Sequence, residues 1–200
     1  MPRALEIYFD YRSPFAYLLS EVIEEVATRH GVTPVWKPVD LHVLADSDQP
    51  AYGPSKAAYV VTDARRTAEY YGVPILPPQP FPVSSNLALR TAIVARQHDA
   101  FDAFHRAVFR AAWVEQRDIG SEAVLADVIR GVGGDPAAWL ARARSLDVDD
   151  RLREFSTEAR ERKVFGVPTM LLDGEMFWGV DSLPQLEWRL AGSPPRRRAG

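Results

Sequence analysis

Along the first forty residues the spacing of apolar side chains switches twice. Leu5-Glu6-Ile7-Tyr8-Phe9 alternates apolar and mixed positions and halts at Asp10-Tyr11-Arg12, which predicts a short strand and its exit loop. Phe15, Leu18, Leu19, Val22 and Val26 then fall at helical spacing behind Ser13-Pro14. Ser is a favoured cap, Pro is preset for the first helical position, and Gly31 supplies the stop. Val32 to Val39 predicts a second strand, and Pro34 and Pro38, which lack a ladder donor, push it toward a sheet edge. Strand, helix, strand in this order makes the two strands parallel.

From about Asp46 to Asp150 the period is helical. The pattern predicts helices over 56–71, 86–98, 100–114, 121–130, 136–144 and 148–163, with Ser121 and Asp135-Pro136 as start signals. The proline-rich stretch Pro74 to Pro82 predicts an extended connector. Residues 168–172 and 175–178 turn back to strand and flank Asp173-Gly174, a two-residue hairpin signal. Asp181 or Ser182 then caps a last helix carrying Leu183, Leu186 and Leu190. The order βαβ, helical block, ββα is that of an α/β thioredoxin-like fold with a large all-helical insertion. Residues 1–45 and 164–192 form the thioredoxin-like part, 46–163 the insertion, and 193–200 a disordered tail.

Composition narrows the chemistry. At 200 residues, 46% hydrophobic and 26% charged, the chain has the make-up of one ordinary globular domain with an insertion. A net charge of -3 gives no reason to expect nucleic acid or a membrane surface as partner. Of the 24 basic residues 21 are arginine, scattered among acids; the exception, Arg196-Arg197-Arg198, reads as part of a frayed tail. There is no cysteine, so disulfide exchange and thiol catalysis by the protein's own side chains are excluded. With no apolar signal region after Met1-Pro2-Arg3, the expected location is cytoplasmic. His30, His42, His98 and His105 show no metal-ligand spacing, so no metal is expected.

Three loops entering regular structure carry candidate chemistry. Ser13-Pro14-Phe15-Ala16 opens a helix, whose N-terminus favours an anion through unpaired N–H groups and the dipole. In thioredoxin-like oxidoreductases this turn carries two cysteines; here Ser13 and Ala16 stand at those places, and a hydroxyl can still donate to a bound thiolate. A plain N-cap serine is the competing reading. In Phe165-Gly166-Val167-Pro168-Thr169 the proline opens a strand, and with this element order the Val167–Pro168 bond is expected to be cis. In Trp178-Gly179-Val180-Asp181-Ser182, Asp181 is either a partner for a ligand's amino group or an ordinary cap.

Together these stretches resemble the 2-hydroxychromene-2-carboxylate isomerases and their kappa-class glutathione transferase relatives, a family with a DsbA-like thioredoxin fold. The resemblance runs from Tyr8 through Leu18, then Pro54-Ser55-Lys56 with Tyr59 and Asp63, then Phe81-Pro82 with Ala88-Leu89-Arg90. It ends with Phe165 to Thr169 and Phe177 to Asp181. It implies glutathione, or another low-molecular-weight thiol, as cofactor. Ser13 would hold the sulfur beside Pro14 and Phe15, and the backbone at Val167-Pro168 would pair with the tripeptide. Val180 and Asp181 would receive its γ-glutamyl end, and Lys56 would meet a carboxylate. It further implies a homodimer and a small aromatic substrate, isomerised about a conjugated double bond by transient thiol addition. The chain departs from the family at Val180 and Ser182 around the late Asp, in the short segment holding Asp48 and Gln49, and at Ser84. A kappa-type transferase or peroxidase, and a non-catalytic thiol- or peptide-binding module, fit the same residues.

Overall fold

The structure, a computed structural model, describes residues 3–44 and 54–193. Asp48, Gln49 and the tail with Arg196–Arg198 lie outside the described residues.

Strand β1 (Arg3–Phe9) is followed by helix α1 (Pro14–His30) and strand β2 (Val32–Pro38), and β1 and β2 pair in parallel with Phe9 opposite Pro38. Ser13 caps α1 by accepting from the Ala16 N–H, Pro14 takes the first turn, and Gly31 closes the helix. A four-residue helix, α2 (Leu41–Leu44), leaves β2; it is too short to show a period and has no counterpart in the sequence reading. The helical block follows as α3 (Pro54–Tyr71), α4 (Asn86–Gln97), α5 (Phe101–Trp113), α6 (Glu122–Gly131), α7 (Pro136–Ala143) and α8 (Leu146–Glu161). Six predicted helices are thus found within a few residues of their expected bounds, whereas the connector expected to be extended over 74–82 bends across 79–82.

The chain then re-enters the sheet as β3 (Thr169–Leu172) and β4 (Glu175–Trp178), giving the order β2-β1-β3-β4 with β3 antiparallel to both neighbours. Asp173 and Gly174 both take positive φ, 51° and 86°, as a two-residue hairpin requires. A 3-10 turn (Val180–Ser182) leads into α9 (Leu183–Leu190). Of the two residues expected to cap this helix, Ser182 stands at its N-cap, but without a side-chain capping bond. Asp181 falls inside the 3-10 turn, and the Ser182 hydroxyl donates back to the Trp178 carbonyl, not to the helix.

Each face of the sheet has its own filling. Leu5, Ile7 and Phe9 are fully buried, and Phe9 makes edge contacts with Trp36, Tyr11 and His105 at centroid distances of 5.6, 5.1 and 4.5 Å. The opposite face of β1 and β2 is polar and lies under α8. There Lys37 donates to Glu6 and Glu158, the Tyr8 hydroxyl donates to Glu158, and Arg162 pairs with Glu6. Burial raises both carboxyl groups, but the hydrogen bonds from Lys37, Tyr8 and Arg162 outweigh it and leave them below their ordinary value. Strand β2 is an edge, as its prolines predict, and Arg96 of α4 donates to its Trp36 carbonyl.

Candidate active site

The C-terminal end of β1 runs into the first turn of α1 through Asp10-Tyr11-Arg12-Ser13, and each of these residues is fixed by a partner distant in sequence. Asp10 is fully buried. Its carboxylate accepts from the Arg12 N–H at 2.9 Å, from Arg12 Nη2 at 2.8 Å and from the Leu41 N–H at 3.0 Å. Arg12 also pairs with Asp40 at 3.2 Å and touches His42, and Asp40 accepts from Asn86 at 3.1 Å. The Tyr11 carbonyl accepts from the Trp113 indole at 2.9 Å, and the Tyr11 hydroxyl meets His105 Nδ1 at 3.2 Å. Burial among aromatic rings pushes His105 well below its ordinary pKa, with Arg96 and Arg106 adding to the effect, and pushes the Tyr11 phenol well up. His105 is therefore a neutral strut at neutral pH. None of these partners was singled out in the sequence: a lone histidine on an apolar helix face and an acid at a strand end carry no local signal of a bond.

Ser13 is 5% exposed. Its Oγ accepts from the Ala16 N–H at 3.1 Å and donates to the Val167 carbonyl at 3.2 Å. The Val167–Pro168 peptide is cis, as expected; Gln79–Pro80 and Phe81–Pro82 are cis as well, which the sequence reading did not anticipate. The Val167 carbonyl, expected to stand open for a ligand, is instead occupied by Ser13, whereas the Val167 N–H has no partner among the described residues. The Pro168 carbonyl accepts from the Gly179 N–H at 2.9 Å. That bond brings the Val180-Asp181 turn beside the opening of β3. Glycine suits this position because its φ is 82°, a conformation that side-chain-bearing residues rarely adopt.

The structure therefore unites three of the predicted stretches. Ser13 bonds Val167, Pro168 bonds Gly179, and Pro14 and Phe15 form the first turn of α1. Val180 is buried and Asp181 exposed. Lys56 is placed by a separate element, at the third position of α3, exposed, on a helix that packs against α1. Between Gly166 and Trp178 an aromatic pair stands out to solvent, Phe165 against Trp178. A cavity of about 360 Å³ between α4, α5 and α8, with Arg96 and Arg151 laid on Phe101 and Phe155, includes none of the predicted site residues. Among the described residues no group of acids and histidines is arranged to hold a metal ion.

Chemically, the arrangement provides one hydroxyl at a helix N-terminus, one unpaired N–H beside it, and an exposed carboxylate across the β3–β4 end. It suits an anion at Ser13 attached to an extended, amide-bearing chain. The residues present thus fit a small peptide-like thiol. No helix among the described residues is long and apolar enough to cross a membrane.

Comparison with known proteins agrees with this geometry. Residues 4–191 match the family model described as a DSBA-like thioredoxin domain. The chain is similar to 2-hydroxychromene-2-carboxylate isomerase of Sphingobium xenophagum, 33% identical over 197 residues that cover 94% of this chain and 97% of that one. It is also similar to glutathione S-transferase kappa 1 of Caenorhabditis elegans, 25% identical and covering 84% and 79% of the two chains. Among solved structures, a selenomethionine form of a 2-hydroxychromene-2-carboxylate isomerase superposes with a TM-score of 0.86 at 30% identity, covering 94% of this chain and 95% of that one.

Proposed function

The chain belongs to the 2-hydroxychromene-2-carboxylate isomerase family of DSBA-like thioredoxin domains, and on that footing we propose that it is a thiol-dependent cis-trans isomerase of a conjugated aromatic acid. The observation that carries the reading is Ser13. It is a buried hydroxyl at the start of α1, placed between the Ala16 N–H and the Val167 carbonyl, in a chain without cysteine.

When bound, the thiol, glutathione or a relative of it, would supply the nucleophile for the conjugated double bond. The protein's part is to hold and position. Ser13 turns its proton from the Val167 carbonyl to the sulfur, which stabilises the thiolate together with the α1 N-terminus. The Val167 N–H would pair with the extended thiol's backbone, and Asp181 would take its amino end. Asp10 and Arg12 keep the β1–α1 loop from yielding as the charge forms. The same reading takes a small aromatic acid as substrate, the cytoplasm as location and a homodimer as the working unit.

Calorimetry with glutathione, followed by an absorbance assay on a hydroxychromene carboxylate, tests the proposal. Binding with turnover is the expected result. Binding without turnover would favour a non-catalytic module, and a transferase assay separates the kappa-type alternative. Failure to bind any thiol would overturn the reading of Ser13.

A further inference from the structure

Phe165 is 60% exposed and Trp178 52%, and their rings meet at a centroid distance of 5.1 Å, tilted by 54°. Large apolar side chains left open in pairs mark a contact site more often than isolated ones do. This pair is also held. The Trp178 indole lies on the backbone of Gly166, where a Cβ would sit 2.8 Å from Nε1, so the ring cannot settle there unless residue 166 lacks a side chain. The indole N–H, beside Gly166, makes no hydrogen bond among the described residues and is left as an unused donor. Phe165 is two residues from Val167, a span of at most about 7 Å, and Trp178 pairs with Thr169 at the same end of the sheet as Ser13.

We infer that Phe165 and Trp178 form a subsite for the planar ring of an aromatic carboxylic acid, with the rings stacking on its face and Trp178 Nε1 donating to its carboxylate or a ring oxygen. Its place beside the bound thiol rests on the reading of Ser13 given above. Offset and edge contacts between rings, plus one hydrogen bond, suit a flat acid and discriminate against a saturated one. Substrate selection then belongs to the β3–β4 end of the thioredoxin-like part, and the thiol is held by Ser13 and Val167.

The probe is 2-naphthoate, titrated calorimetrically into the full chain and into the Trp178→Leu, Trp178→Phe and Phe165→Leu variants, with glutathione titrated into the same proteins. Both side chains are exposed, so the variants fold. Naphthoate affinity should fall about tenfold in the leucine variants and less in Trp178→Phe, which keeps a ring and loses the donor. Glutathione affinity should not change. Naphthoate binding that is absent from the unaltered chain, or equal in all four proteins, overturns the subsite. Failure of the unaltered chain to bind either glutathione or a sugar-linked cysteine thiol overturns the reading of Ser13 and leaves the naphthoate result to decide the subsite on its own.

Discussion

The Ser13 hydroxyl donates to the Val167 carbonyl at 3.2 Å, closing a loop of 154 residues with one side-chain bond. The bond joins the two ends of the thioredoxin-like part, between which the whole helical block is inserted. It also sets the resting state of the site, since the proton that Ser13 would give to a thiolate is given to Val167 until a ligand arrives.

Ser13→Ala should separate the cap from the chemistry. It deletes the acceptor for the Ala16 N–H and the donor to Val167, which costs about 1–2 kcal/mol and leaves the domain folded. Loss of a hydrogen bond to the thiolate, worth about 1.5–3 kcal/mol, should raise the apparent thiol pKa by about 1–2 units and remove most turnover at neutral pH. Ser13→Cys should partly retain it. Thiolate absorbance against pH, with urea unfolding of the same proteins, checks both parts; wild-type rates across the pH range in the alanine variant would make Ser13 a cap alone.

Asp10 and Arg12 should prove mutually dependent. Asp10 is fully buried and its carboxylate accepts from both the backbone and the side chain of Arg12. Asp10→Ala leaves the guanidinium with Asp40 as its remaining carboxylate and the Leu41 N–H without its acceptor, and should cost about 3 kcal/mol in chemical unfolding. The double variant with Arg12→Ala should lose clearly less than the sum of the two single losses. Additive losses would show that the pair does not act as a unit.

Stability should fall on mild acidification because of His105. The folded imidazole resists protonation, chiefly through burial, whereas the unfolded one takes up its proton near pH 6.5, about the ordinary value. Below that point the unfolded chain binds more protons than the native one, so unfolding becomes easier by up to about 1.4 kcal/mol per pH unit. Above it this contribution is flat. His105→Gln removes the titration and keeps a partner for the Tyr11 hydroxyl, so its unfolding free energy should depend less steeply on pH between about 5 and 6.5. Equal slopes in the two proteins would contradict this.

Glutathione should bind weakly, or yield to another thiol. Val180 is buried and the Ser182 hydroxyl is spent on the Trp178 carbonyl, so of that turn's side chains Asp181 alone is open to the thiol's polar end. One lost contact to a charged group costs about 1.5–3 kcal/mol, roughly tenfold or more in affinity. Titrating glutathione beside a sugar-linked cysteine thiol decides the point. Binding of glutathione well below millimolar, with no preference for the alternative, would show that these substitutions are without effect.

Local chemistry made much of this molecule legible in advance. Ser13-Pro14, Gly31, the prolines of β2 and Asp173-Gly174 each act on backbone angles or donors within a few residues, and each does in the structure what its type dictates. The end of β4 was legible only in part, because the Ser182 hydroxyl found a carbonyl four residues back instead of the helix ahead. The polar scaffold under Ser13 was not legible. Asp10 with Leu41, Asp40 with Asn86 and Tyr11 with His105 meet across 31, 46 and 94 residues, and no spacing rule reaches so far.

Edge strand β2 has one more consequence. Alternate residues of a parallel edge strand turn their backbone groups away from the neighbour, and Trp36, whose carbonyl is taken by Arg96, is in phase with Pro34 and Pro38, which have no N–H to offer. An incoming chain would find no run of donors and acceptors on that side. The sheet is sealed there against growth, so this edge offers little template for a strand of another chain to extend it.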